Sequence, residues 1–276
     1  MRPCPPAALA PLALLFAVAC VEDDGALTDA ELRASVEAMI VAGRGEALGA
    51  EVVEISTGVT LGERWQAAAE ALAEFYETQL PCSTVSRVDA VLTIDFGTLD
   101  DPCVYAGRTW AGVQGMEVVG ATPEAIDVQH TWDGITDGFT TLDGDVDVTW
   151  GLADGTRRVQ HADTWSSPLG TVEATGDRTQ RLLTPESGAA GGIVVDGVRA
   201  WTWKDEPWEL AIDGVELRPQ DPVPQAGGGR LVHPSGKALD IRFERQDAAT
   251  IRVLLTTGGR EAAFDVRLTG VEAVSP

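Results

Sequence analysis

Two short stretches of the chain echo one another: Val128-Gln129-His130 is followed by Trp132, and Val159-Gln160-His161 by Trp165. On extended strands the residues two apart share a face, so each imidazole points to the same side as its neighbouring valine and tryptophan. A pair of inward histidines has two chemical uses, metal ligation and titration inside a ligand cavity. The simpler alternative places each at a core edge, hydrogen-bonded to backbone or to a nearby aspartate. Of the nearest carboxylates, Asp133 and Asp163, only Asp163 shares parity with its histidine. His161 is therefore expected to have an internal partner, and His130 to be the one that meets something external. The expected ligand-binding set is His130, Trp132, His161 and Trp165, with no metal and no cofactor, because no short-range ligand pair such as HExxH accompanies them.

Other chemistry-bearing patterns lead to plainer readings. Asp143-Gly144-Asp145-Val146-Asp147 begins like a calcium loop, but Val148 stands where the loop needs Gly and Asp154 where it needs Glu. Strand alternation explains the run, with the three aspartates facing solvent. Gly236-Lys237 ends like a phosphate loop with Leu231 in place of its first Gly and Ala238 in place of Ser or Thr. Gly43-Arg44-Gly45 has Leu48 where a dinucleotide fold needs a third Gly, and no serine sits in a Gly-x-Ser-x-Gly elbow. With no catalytic signature, the chain reads as non-catalytic. Tryptophans 110, 132, 150, 165, 201, 203 and 208 fill a core in the ordinary case; on a concave sheet they would stack on sugars or cradle lipid.

The elements that must position these residues change character along the chain. Thr28-Asp29-Ala30-Glu31 has capping-box spacing, and Leu32, Val36, Met39 and Ile40 recur at helical intervals, which predicts a helix ending near Gly43. A weaker helical piece is expected over 48–55. A second box at Thr60-Leu61-Gly62-Glu63 opens another helix that Pro81 stops. From Cys82 onward the period becomes two. Strands are expected near 90–96, 107–119, 125–136, 139–152, 156–166, 171–183, 192–203, 208–217, 229–233, 238–245, 250–256 and 261–269. Asp-Gly pairs, frequent in a chain without a single Asn, are expected to form hairpin turns. No segment between strands is long enough for a helical crossover, so pairing is antiparallel. The expected fold is α+β and mostly β: short N-terminal helices packed on a large antiparallel meander that curls into a sandwich or half-barrel. The Pro-rich stretch 218–224 is expected to break the meander.

Composition narrows the function classes. The chain has 276 residues, 44% of them hydrophobic and 23% charged, which suits a globular domain rather than a disordered one. Its formal net charge of -23, from 20 Lys+Arg against 43 Asp+Glu, leaves no basic stripe for nucleic acid.

Met1-Arg2 and the apolar run Ala7 to Ala19 have the form of a secretory signal. The end of the run, Leu15-Phe16-Ala17-Val18-Ala19-Cys20, resembles the lipobox of bacterial lipoproteins, with Ala17 where the family more often has Leu. The resemblance implies that Cys20 is acylated and becomes the mature N-terminus. The alternative is a plain signal cleaved near Ala19, leaving Cys20 as a free thiol. Val21 after the cysteine, in place of the Asp that retains such proteins at the inner membrane, implies the outer membrane. Cys4 leaves with the signal and Cys20 carries lipid, so Cys82 and Cys103 remain as a pair, expected to be joined in an oxidising periplasm. A reactive or metal-binding pair is the alternative.

Together with Leu80-Pro81-Cys82, Leu92-Thr93-Ile94-Asp95-Phe96-Gly97 and the Trp- and Gly-punctuated meander, the chain resembles a group of uncharacterised lipoproteins of the myxobacterial type, from which no activity carries over. The expected organisation is a signal peptide over 1–19, an acidic tether over 20–27, a helical segment over 28–81, the meander over 82–217 and a three- to four-stranded extension of the same domain over 218–276. The functional expectation is a non-catalytic, lipid-anchored envelope protein, structural or ligand-binding on its sheet, with membrane contact through lipid, no nucleic acid, and an envelope protein or carbohydrate as partner. An envelope hydrolase acting on a polysaccharide or other polymer is the alternative.

Overall fold

The computed structural model describes residues 25–57, 80–89, 91–105, 107–151, 153, 155–184, 191–218, 221, 223–267 and 270–274. The signal run, Cys20 and the second expected helix before Leu80 lie outside them.

Helix α1 covers Asp29–Thr57. Its start is the expected capping box: Thr28 N donates to Glu31 Oε2 at 2.7 Å and Glu31 N to Thr28 Oγ1 at 3.3 Å. The Thr28 backbone N–H holds the Glu31 carboxyl well below the usual carboxylate range, at about 2. The helix does not end near Gly43. Each interior glycine costs about 1 kcal/mol relative to alanine, but Leu48, Val52 and Val53 continue past it the buried stripe of Val36, Val41 and Ala42, and tertiary burial outweighs that propensity. The separate piece expected over 48–55 is the last part of this one helix.

The strands are β1 (Thr84–Val88), β2 (Val91–Asp95), β3 (Gly97–Thr98), β4 (Asp101–Tyr105), β5 (Arg108–Ala121), β6 (Ala125–Thr136), β7 (Thr141–Gly151), β8 (Thr156–Ser167), β9 (Gly170–Leu182), β10 (Ile193–Trp203), β11 (Glu206–Leu217), β12 (Ala226–Val232), β13 (Ala238–Arg245), β14 (Ile251–Thr257), β15 (Arg260–Arg267) and β16 (Gly270–Val274). All twelve expected strands are present. Pairing is antiparallel throughout and runs β1-β2-β5 and then in sequence order to β16, with β3 and β4 forming a side hairpin on β5. Among the described residues nothing pairs β1 with β16, so this is one continuous open sheet rather than a closed barrel. The Pro-rich stretch does not break it: β11 pairs with β12 across that connection, Leu210 opposite Leu231.

The Asp-Gly pairs do more than turn hairpins. Ladder registers slip between Trp132 and Ile135 and between Asp213 and Glu216. At these bulges Gly134 and Gly214 adopt φ of 60° and 55°. Each is pinned by an aspartate across the ladder, Gly134 N donating to Asp143 Oδ1 and Gly214 N to Asp196 Oδ1, both at 2.7 Å. The carboxylates of these pairs thus serve as bulge acceptors.

One face of the sheet is covered by α1. The helix start is tied to the last strands: Arg260 Nη1 donates to Leu27 O at 3.0 Å, Lys237 Nζ lies 3.2 Å from Glu31 Oε1, and Leu27 N donates to Thr257 Oγ1 at 3.4 Å. Its middle meets β10, where Arg199 Nη2 donates to Ala42 O at 2.7 Å. Further on, Gly45 lies against the Trp165 indole, where a Cβ would overlap the ring, and a Cβ on Gly49 would stand 3.0 Å from Trp132 Cη2. Two glycines four apart on one helix face let the backbone settle directly onto two large rings.

A Cys82–Cys103 disulfide, with Cα atoms 4.9 Å apart, joins the chain entering β1 to strand β4.

Candidate functional site

The two histidines lie in one cross-strand row. His130 of β6 is opposite Val146 of β7, which is opposite His161 of β8, so their Cα atoms are two strand spacings, about 10 Å, apart. The adjacent row reads Gln114, Trp132, Gly144, Asp163, Ala174, Trp201, Trp208 from β5 to β11. Trp165 follows one row on, opposite Leu142. His130, Trp132, His161 and Trp165 are all buried on the side of the sheet that α1 covers.

Each imidazole has one partner. His161 Nδ1 lies 3.0 Å from Asp163 Oδ2, the carboxylate that shares its parity, and this bond turns the ring over Gly176, where a Cβ would overlap it. His130 Nδ1 lies 3.2 Å from Gln114 Nε2. An amide nitrogen only donates, so Nδ1 accepts and the ring proton sits on Nε2. Burial, with the Arg157 charge nearby as a lesser cause, pushes His130 down to about 4.

What sets the site apart is how much of its polarity is unanswered. Nε2 of both histidines, Asp163 Oδ1, Gln114 Oε1 and the indole nitrogens of Trp132, Trp165, Trp201 and Trp208 are buried with no hydrogen-bond partner. A buried polar atom without a partner costs about 1–3 kcal/mol, so such atoms gathered in three adjacent rows call for water or a ligand. Trp201 and Trp208 stack with centroids 6.1 Å apart. The Arg199 guanidinium lies over both Trp165 and Trp201, 5.2 Å from each centroid. Burial lowers Arg199 to about 10, against the opposing pull of the Asp163 carboxylate, and Arg178 to about 9. Both therefore stay charged at neutral pH.

No family model, curated protein or solved structure matches the chain.

Gln114, Arg178 and Arg199 were not among the expected site residues. The available signal was phase: Arg199 stands two before Trp201, and Arg178 four after Ala174, at positions that alternation assigns to the covered face. Asp143, Asp145 and Asp147 are exposed and alternate with buried Leu142, Val146 and Val148. No cluster of three or more metal-capable side chains occurs among the described residues. On the solvent face an open groove of about 580 Å³ runs between exposed Asp143, Glu173 and Thr202 with half-buried Thr164 on one side and Thr175 and Glu209 on the other. His233 closes the β12–β13 turn, its Nδ1 2.9 Å from Ser235 Oγ.

The low His130 value makes acid sensitivity a readout of this site. In the unfolded chain a histidine takes its proton near pH 6.5 and in the folded chain His130 does so only near 4, so protonation favours unfolding as pH falls through that window. Stability is unaffected above it. Relative to a His130→Gln variant, the wild type should lose about 2 kcal/mol between pH 7.5 and pH 5, measured by urea unfolding. Parallel curves for the two proteins over that range would show that His130 is not held neutral by burial.

Proposed function

We propose that the protein is a non-catalytic, lipid-anchored envelope protein, held at the outer membrane through Cys20, that binds a hydroxyl-rich, carbohydrate-like ligand between α1 and the sheet. The observation that carries the ligand reading is the group of adjacent rows in which buried polar atoms lack partners: His130 Nε2, His161 Nε2, Asp163 Oδ1 and the indole nitrogens around them. Stacked aromatic faces beside unpaired donors and acceptors suit a sugar, whose ring faces are apolar and whose hydroxyls both donate and accept. The lipobox-like residues before Cys20 support the anchor.

The test is titration of the purified protein with muropeptides and lipopolysaccharide core oligosaccharides, read by tryptophan fluorescence and by thermal unfolding. A ligand of this class should raise Tm and perturb the emission. A His130→Leu/Trp132→Phe variant, which removes two of the unpartnered groups, should lose the response. If no sugar moves either signal, ordered water fills the site and the role is structural. The hydrolase alternative draws on one contact, the 3.0 Å His161–Asp163 pair, an arrangement that can orient a general base. Cleaved products in the same incubations would favour it.

A further inference from the structure

We infer that the rim of the sheet carrying the β4–β5, β6–β7 and β8–β9 turns is the surface that rests on the lipid bilayer. This inference depends on the reading of Cys20 as the anchor, and adds to it a second, non-covalent point of contact.

In an up-and-down meander every second turn emerges at the same end. The β6–β7, β8–β9, β10–β11, β12–β13 and β14–β15 turns share one end, and β5 begins there. The chain reaches the fold at that end too. Lys237 Nζ of the β12–β13 turn lies 3.5 Å from Ala26 O, and a Cβ on Gly258 of the β14–β15 turn would stand 2.6 Å from Ala26 N. From Cys20 to Ala26 is six residues, at most about 20 Å even when fully extended. An acylated Cys20 therefore keeps the end of the sheet that carries these turns nearer the membrane than the opposite end, with the β12–β13 and β14–β15 turns closest to the tether.

The largest exposed apolar side chains are on this rim, whereas the exposed Val88, Val91 and Val119 lie toward the other end. Leu99, Phe139 and Leu169 are 56%, 46% and 44% exposed, and Val104, beside the β4–β5 turn, is 62% exposed. Every exposed large hydrophobic side chain bigger than valine among the described residues belongs to this group. Leu99 reaches the β6–β7 turn, its Cδ2 3.9 Å from where a Cβ on Gly138 would be. Single exposed apolar residues are unremarkable, but three of this size on turns at the tethered end of the sheet form a contact surface. Both lysines of the chain, Lys204 and Lys237, lie in turns of this same end, where a long stem with a charged head suits the headgroup layer. Acidic residues occur in turns at both ends, Asp100, Asp137 and Asp205 at this one and Glu124, Asp221 and Asp247 at the other, so size of the exposed apolar side chains and not charge distinguishes the rim.

The experiment places an environment-sensitive fluorophore on a single introduced cysteine, Phe139→Cys, Leu169→Cys or, at the opposite end, Glu124→Cys. The acylated protein is then reconstituted on phosphatidylcholine vesicles. Cys82 and Cys103 are joined and Cys20 is acylated, so each label is unique. The expected result is a blue-shifted emission, quenched by spin-labelled lipid, at 139 and 169 and not at 124. Protein that floats with the vesicles while all three labels stay water-exposed overturns the inference and leaves the anchor standing. Protein that fails to float and has an unacylated N-terminus by mass overturns the anchor, and this inference with it. Labels that shift in native envelopes but not on pure lipid assign the rim to a protein partner instead.

Discussion

Truncating Trp165 to alanine should destabilise the fold by about 3–5 kcal/mol, the range for emptying a buried tryptophan site. The indole is 2% exposed, lies under α1 at Gly45, and supports the Arg199 guanidinium 5.2 Å from its centroid. Removing it opens a cavity beneath a helix whose backbone has no side chain at that point to fill it. Gly45→Ala makes the complementary test. Alanine favours a helix by about 1 kcal/mol over glycine, yet here its Cβ would overlap the ring, and overpacking costs about 1–3 kcal/mol. The single substitution should therefore destabilise, whereas in the Trp165→Ala background the same Cβ enters empty space and should be neutral or stabilising. Urea unfolding of the two single variants and the double variant measures the coupling. Strict additivity would mean that α1 does not sit on this ring.

Reducing the Cys82–Cys103 disulfide, or replacing both cysteines by serine, should cost about 3 kcal/mol, the loop-closure value for a separation of 21. The loss should be local. Cys103 is fully buried and pairs with Trp110 at the start of β5, so the bond clips the β3–β4 hairpin and the incoming chain to one edge of a sheet that otherwise continues without them. Amide hydrogen exchange should quicken through β1 to β4 while the ladders from β6 to β15 keep their protection. Uniform acceleration across the sheet would show instead that the clip supports the whole fold.

Much of the architecture was legible because alternation is a local signal. The expected intervals match twelve strands, and strand parity in the sequence alone pairs His161 with Asp163. Four strands escaped, β1, β3, β4 and β16: β3 has two residues, and β1 lies at an edge where only Val85 of Thr84–Val88 is shielded at all. The continuity of α1 was hidden for a different reason. Gly43 reads as a helix end in isolation, and the rings that seat Gly45 and Gly49 beyond it come from β6 and β8, far along the chain. Bulges hid part of the site. The slip between Val195 and Gly197 buries two successive valines and then turns Val198 outward and Arg199 inward, against what hydrophobicity alone would choose. Phase against Trp201 could place Arg199 on the covered face, but only the three-dimensional arrangement shows why an arginine belongs there, since its guanidinium is held by two indoles and a carbonyl of α1.

Nearly every ladder joins strands adjacent in sequence, β2 with β5 being the exception. Such pairing closes short loops and can proceed hairpin by hairpin as the chain emerges, with little entropy lost at each step. The helix obeys the opposite schedule. It is made first, yet its seats arrive last: Ala42 waits for Arg199, 157 residues away, and Leu27 for Thr257, 230 residues away. Docking of α1 is thus the late, non-local event of folding, and until the final hairpins form the apolar stripe from Leu32 to Val53 must be shielded by something other than its own sheet.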